Sequence, residues 1–145
     1  MATTAQEVFD IAMGLMDEVN EATGATDTTD TREYKQRTVL ILTALRGELY
    51  PFSDSYKKEP DGSRPVCPII GGMNSFVPLD DVLCQSVMPY GLAAHLLLNE
   101  NPDAASFFQQ RYEELIRKIG NNAPASFEAI TDVYGGIEFT EFSRW

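Results

Sequence analysis

The spacing of apolar residues constrains the fold of this chain more than any other feature of its sequence. Apolar side chains recur at intervals of three and four in two blocks, separated by a region rich in proline and glycine. This spacing puts them on one face of an α-helix, whereas a half-buried strand would need alternation. The sequence therefore predicts an all-α fold with about four main helices, a long Pro/Gly loop over residues 52–78, and a short extended or β-like C-terminal tail.

The N-terminal block predicts two helices. Thr4 and Glu7 have the spacing of a capping box, in which each side chain binds a backbone amide of the other residue. The apolar stripe continues to Ala22, and Gly24 is a typical helix stop, so the first helix is expected to fill most of this segment. A second helix is expected over about Arg32–Tyr50, ending before a proline.

The second block predicts a buried helix followed by an antiparallel partner. Pro78 suits the first position of a short helix over residues 79–87, and Pro89 then starts a new helix or kinks that one. Residues 92–98 are apolar nearly all round, which is typical of a central helix. Asn101 is a helix cap that opens a last amphipathic helix, so the two should form a hairpin. The core stripe of that last helix is Phe108, Tyr112, Leu115 and Ile119.

The length of 145 residues is typical of a single domain. We assign residues 1–120 to the helical domain, including the loop over 52–78. Residues 121–145 form a tail of the same domain. The helical pattern stops in this tail, where short strands and an extended arm are both compatible with the sequence.

The charge of the chain limits its partners. Eleven Lys and Arg oppose twenty-two Asp and Glu, which gives a formal net charge of −11. Because such a surface repels phosphate, we expect no specific nucleic-acid binding. The simpler explanation of the acidity is that it keeps the protein in solution.

The sequence offers no ligand set for a metal or a cofactor. Cys67 and Cys84 lie far apart, and His95 is the single histidine. Zinc sites need clustered Cys and His, so we expect no metal, no cofactor and reduced thiols. There is no signal-peptide pattern, and the longest apolar stretch, residues 91–98, is too short for a bilayer. Together these features favour a cytoplasmic protein without membrane contact.

Three candidate sites each have a plainer structural explanation. His95 could act as a general base, but no motif surrounds it, so a neutral imidazole in the core is expected. Asp80 and Asp81 could be half of a carboxylate site, but acids in a first helical turn are what the helix dipole favours. Gly71 and Gly72 lack the lysine and hydroxyl residue of a phosphate loop and indicate a turn. We therefore assign no catalytic residue.

Aromatic residues cluster at the end of the tail, where chains are usually polar. The segment either folds back over its own core or inserts into a neighbouring subunit or partner, where Phe, Trp and Arg are typical anchors. The candidate partner-binding residues are Ile137, Phe139, Phe142, Arg144 and Trp145.

Three stretches of the second block, Pro78–Leu83, Met88–Leu98 and Asn101–Glu113, together resemble the helical hairpin of tailed-phage head–tail connector (adaptor) proteins. In that family a segment that begins with acidic residues leads to a leucine-rich helix with small residues. A second helix with an F…RYEE-like pattern then packs against the first. The likeness covers well under half of the chain and rests on the hydrophobic pattern and a few identities.

The resemblance implies a prophage-encoded structural protein without enzymatic activity. Such a subunit would bind copies of itself in a ring and contact portal or tail proteins, in the bacterial cytoplasm or in the virion. The long loop over residues 52–78 has no counterpart in the family pattern. The alternative is a small cytoplasmic helical enzyme or ligand-binding domain with a pocket around His95 and Tyr90.

Overall fold

A computed structural model describes residues 3–53 and 69–121, except for the side chain of Asn121. Over these residues the chain is all-α, as the apolar spacing predicts. The helices are α1 (Ala5–Leu15), α2 (Arg32–Leu49), α3 (Met88–Leu97) and α4 (Pro102–Asn121), with a 3-10 turn over Tyr50–Phe52 and a π turn over Leu83–Val87. Of the predicted loop, residues 52–53 and 69–78 are described, and the predicted tail lies outside the described residues from residue 122.

The start of α1 is held both by its own cap and by the distant end of the loop. The hydroxyl of Thr4 accepts from the Glu7 amide at 3.2 Å, and the Glu7 carboxylate accepts from the Thr4 amide at 2.9 Å, which confirms the capping box. The first two helical amides donate to the carbonyls of Ser75 and Met73 at 3.0 and 2.8 Å. The amides that a helix start normally leaves free therefore all have partners here.

The first helix ends much earlier than its apolar stripe predicts. It stops at Leu15 instead of continuing to about Ala22. Asp17 takes a left-handed conformation with φ 58°, and the Glu18 amide donates back to the Met13 carbonyl at 2.9 Å. This is the hydrogen-bond pattern of a Schellman motif, in which glycine is the usual left-handed residue. Because aspartate occupies that position, the sequence gives no clear stop signal.

Helix α3 is the centre of the fold, as its apolar composition predicts. It packs against α1, α2 and α4. Leu92 and Leu96 join a core cluster with side chains of α1 and α2. Ala93, Ala94 and Leu97 form a second cluster with residues of α4. Three sides of α3 are therefore covered by other helices.

The prediction for the two prolines of this region is wrong for Pro78 but not for Pro89. Pro78 is not a first helical residue, because helical backbone begins only at Asp81. Pro89 lies in the first turn of α3, as one of the two predicted alternatives has it, but α3 follows the π turn without a break in the helical backbone. The Met88 amide donates to the Leu83 carbonyl in the π turn just before Pro89. Proline cannot donate to the ladder, and the wider turn accommodates that loss.

Helices α3 and α4 form the predicted antiparallel hairpin. Residue 91 of α3 faces Tyr112, whereas the later residues Ala94 and Leu97 pack with the earlier residues Ala105 and Phe108 of α4, so the helices run in opposite directions. The side chain of Asn101 accepts from the Ala104 amide at 3.2 Å, which confirms this residue as the cap of α4. The short connection holds the two helices close together along their length.

Candidate functional site

A groove of about 570 Å³ lies between α3 and α4, beside the C-terminal end of α2. Its apolar part consists of Ala94 and Leu98 from α3 and the turn after it, and Ala105 from α4. Volumes of this size are typical of ligand pockets. The hairpin forms the groove because small side chains at residues 94 and 105 leave room between the helices.

Two carboxylates from different helices line this groove. Glu48 comes from the last turn of α2 and Glu113 from the middle of α4, and both side chains are exposed. Gln109 donates to the Glu113 carboxylate at 3.2 Å and so restricts it. No Lys or Arg of the described residues lines the groove. The groove therefore carries a negative charge in addition to its apolar part.

His95 is exposed and lines the groove, so the prediction of a buried core imidazole is wrong. Neighbouring helices cover three sides of α3, and His95 lies on the remaining side with Leu98 three residues later. An apolar sequence alone does not show which side of a central helix remains open. No hydrogen bond within the described residues involves the His95 ring, so none of these residues orients it as the partner of a catalytic base would.

The side chain of Tyr112 is the unusual member of the groove. Only 1% of the residue is exposed, and its hydroxyl makes no hydrogen bond of good geometry within the described part of the chain, although the Glu48 carboxylate lies close enough to interact with it. Burial raises the pKa of this phenol, and the nearby Glu48 carboxylate raises it further. Buried hydroxyls nearly always have a partner in folded proteins, so this one requires an explanation.

Tyr90 does not line the groove, contrary to the predicted pocket around His95 and Tyr90. Its ring packs against Phe108, and the guanidinium of Arg111 lies 5.9 Å from the ring centre. Tyr90 and His95 lie five positions apart on α3 and therefore on different sides of that helix.

Asp80 and Asp81 bind hydroxyl groups that hold the fold together. The Thr3 hydroxyl donates to the Asp81 carboxylate at 2.9 Å, and the Gln85 amide donates to the Thr3 oxygen at 3.0 Å. The Ser53 hydroxyl donates to the Asp80 carboxylate at 3.0 Å. These contacts connect the start of α1 and the end of α2 to the segment before α3. The structural explanation is therefore sufficient for both acids.

Cys84 is buried beneath the same segment. Desolvation, with a smaller contribution from Asp81, raises the pKa of its thiol to about 12. A thiol with such a pKa is not a nucleophile at neutral pH, because the reactive form is the thiolate. Cys67, the other cysteine, lies outside the described residues.

The remaining sequence predictions concern the paired glycines Gly71 and Gly72, a metal site and a membrane-spanning helix. The Ser75 amide donates to the Gly72 carbonyl at 3.1 Å, which confirms a turn at the paired glycines. Within residues 3–53 and 69–121 no three His, Cys, Asp or Glu side chains are grouped so that they could hold a metal ion. In the same ranges no helix has both the length and the apolar character needed to cross a bilayer.

The predicted partner-binding residues, Ile137, Phe139, Phe142, Arg144 and Trp145, lie outside the described residues. The structure instead places two large apolar side chains on the surface of the hairpin. Leu98 is 60% exposed and Phe107 is 62% exposed. Phe107 packs edge-on against Phe108, with ring centres 5.4 Å apart, so its exposed ring is held in position.

Only part of this groove could be predicted from the sequence. The predicted ligand-binding alternative placed a pocket near His95, but Glu48 and Glu113 belong to helices whose packing the sequence does not specify. A tyrosine in a core stripe was the one available signal, because its hydroxyl needs a partner once the ring is buried. No family model, no curated protein and no solved structure matches this chain.

Proposed function

We propose that this chain is a non-enzymatic assembly protein that binds copies of itself and a second protein. The observation that supports it most directly is the surface of the α3–α4 hairpin, where Leu98 is exposed at the groove and Phe107 is exposed on another side of α4. Large apolar side chains on a rigid helical surface are typical anchors of protein interfaces.

The hairpin is well suited to binding because its surface is fixed in advance. The Phe107 ring rests on Phe108, which itself is buried in the second core cluster. Ordering a side chain on binding costs free energy, so a ring that is already held loses less. An interface centred on this hairpin therefore needs little rearrangement of the protein.

The finer assignment follows from the resemblance to tailed-phage connectors. We propose a prophage head–tail connector subunit that forms a ring and contacts a portal or tail protein, in the bacterial cytoplasm or the virion. In this proposal the segment from Ile137 to Trp145 is the arm that reaches the neighbouring subunit. Its aromatic residues and Arg144 supply the anchors.

The mass of the full chain in solution tests the proposal. Multi-angle light scattering is expected to give a multiple of the 16.1 kDa chain mass at micromolar concentration. Replacing Leu98 and Phe107 together by serine should lower that mass. Leu40 is 72% exposed on α2, so Leu40→Ser is the matched control and should leave the mass unchanged. A single-chain mass at all concentrations up to 100 μM would contradict self-assembly.

A small-molecule-binding protein or enzyme is the second candidate, because a groove does lie beside His95. The absence of any hydrogen bond to His95 in the described residues disfavours acid–base catalysis there. Flanking genes distinguish the two functions. Portal, capsid or tail genes beside this one would favour assembly, whereas metabolic genes would favour the second candidate.

A further inference from the structure

We propose that the groove between α3 and α4 binds the guanidinium group of an arginine side chain from a partner protein. The inference rests on the proposed function in one respect, since it takes the occupant to be a protein. It is independent of the arm at residues 137–145. It names the chemical group that the groove binds, a guanidinium, which the assembly proposal does not specify.

The charge of the groove selects a cation. Glu48 and Glu113 approach it from two helices, and none of the described Lys or Arg residues lines it. A cation in a groove that both carboxylates line is attracted by both of them. A cationic ligand is also favoured at longer range by the net charge of −11.

The apolar part of the groove favours arginine over a compact cation. Ala94, Leu98 and Ala105 provide a surface for the hydrocarbon stem of a long side chain, with its charged head at the carboxylates. A guanidinium presents five donors in a plane and can bind two carboxylates at once, whereas an ammonium is a strongly hydrated point charge. The volume of about 570 Å³ is also much larger than a bare ion requires.

The buried Tyr112 hydroxyl is the second, independent observation. It makes no hydrogen bond of good geometry among the described residues, although the Glu48 carboxylate lies close enough to act on its pKa both as a charge and as an acceptor. If the hydroxyl donates to one oxygen of Glu48, the other oxygen remains free to accept from a guanidinium. Tyr112 is thus a positioning residue, and we expect its hydrogen bond to Glu48 to become well formed when a cation in the groove fixes that carboxylate.

The experiment uses the full chain labelled with ¹⁵N and two matched probes, N-acetyl-arginine methylamide and N-acetyl-citrulline methylamide. Citrulline has nearly the same shape as arginine but no charge. Amide shifts are expected at residues 94–98 and 105–113 with the arginine probe, and binding of the citrulline probe should be weaker by at least about tenfold. Equal binding of the two probes would overturn the proposal.

Variants of the groove complete the test. The double variant Glu48→Gln, Glu113→Gln should lose the response to the arginine probe. Glu114→Gln removes one charge from the neighbouring position of α4, which does not line the groove, and should leave the response unchanged. Tyr112→Phe should weaken binding severalfold without lowering the melting temperature. Wild-type affinity in the double variant would overturn the proposal.

Light scattering on the same samples separates this proposal from the assembly function. An oligomer that shows no response to the arginine probe would overturn the guanidinium site and leave assembly intact. A clear response to the probe in a protein that remains a single chain, and that binds no arginine-bearing protein segment, would overturn the assembly function and its protein occupant instead.

Discussion

Gly91 lies so close to Tyr112 that a Cβ atom at residue 91 would come within 2.9 Å of the tyrosine ring. Leu45 of α2 would be only 3.0 Å away from the same atom. Three helices therefore meet at a position where no side chain fits. This contact also fixes the depth at which the Tyr112 ring lies beneath the groove.

Gly91→Ala should lower the free energy of unfolding despite the better helix propensity of alanine. The overpacking costs about 1–3 kcal/mol, and the propensity gain of about 1 kcal/mol offsets only part of it. Gly47 in α2 has no atom near its Cβ position, so Gly47→Ala is the control. It should stabilise the protein by about 0.5–1 kcal/mol. Urea denaturation measures the free energy of unfolding of both variants. A stabilising effect of Gly91→Ala would show that α3 and α4 can move apart without loss of stability.

Asp17→Gly should stabilise the protein, because Asp17 occupies a left-handed conformation. Glycine adopts this conformation without the steric cost of a Cβ, and we expect a gain of about 0.5–1 kcal/mol after its larger unfolded-state entropy is counted. Asp17→Ala should bring no gain, since alanine keeps the Cβ. Thermal melts of the two variants test the Schellman motif, and equal shifts would argue against it.

Leu96→Ala should cost about 2–5 kcal/mol, because Leu96 is fully buried in the main core cluster and its truncation leaves a cavity. Glu113→Ala on the exposed face of α4 should change stability by less than about 0.5 kcal/mol. Equal losses in denaturant melts would mean that the phase of the two helices is different from the one described.

Stability should fall as the pH rises above about 9. The ordinary pKa of a cysteine is 9.0, and burial raises that of Cys84 to about 12. The unfolded chain therefore releases this proton at a lower pH than the folded chain, so unfolding is favoured between the two values. Tyr34, whose phenol donates to the Glu100 carboxylate, also has a raised pKa, chiefly through burial. Cys84→Ala should reduce the loss of stability between pH 9 and 10, measured by urea denaturation, and an unchanged pH profile would contradict the buried thiol.

Deleting the residues after Gly136 should lower the mass in solution while the helical body stays folded. The strongest core stripes lie in that body, and the anchors of the proposed arm lie beyond the deletion point. Circular dichroism melts and light scattering on the full and truncated chains provide the two readouts. A truncated chain that melts much earlier, with its mass unchanged at low temperature, would instead indicate a tail that covers its own core.

Trp145 is the single tryptophan, so its emission in the full chain reports on the arm alone. On dilution below the association range, emission should shift to the red if the arm docks on a neighbour. An emission maximum that does not change with concentration, while the mass falls, would place the contact between subunits elsewhere.

The sequence predicted the helices well wherever apolar stripes and caps agreed. Thr4 caps α1 together with Glu7, and Asn101 caps α4, as predicted. These predictions succeed because side-chain capping depends on local spacing alone. The predicted end of α1 was wrong, because Asp17 occupies the left-handed position at which glycine is usual. Local chemistry thus determined the helix starts better than the helix ends.

The groove needed tertiary information that no local pattern contains. His95 is exposed because it lies on the side of α3 that the other helices leave uncovered, and its apolar neighbours in sequence suggested the opposite. Glu48 and Glu113 belong to helices separated by more than fifty residues of chain, so their approach depends on the packing of the whole hairpin against α2. Only the aromatic residue at position 112 indicated in advance that a polar atom would be buried.

The hydrogen bonds between the start of α1 and the segment before α3 have a consequence for synthesis on the ribosome. Thr3 binds Asp81 across a sequence separation of 78 residues, and the first amides of α1 need the carbonyls of residues 73 and 75. Helix α1 is therefore completed only after residues 73–81 have left the exit tunnel, although its own residues are made long before them. Until then its apolar face remains available to chaperones, and a pause in translation before residue 81 would prolong that exposure.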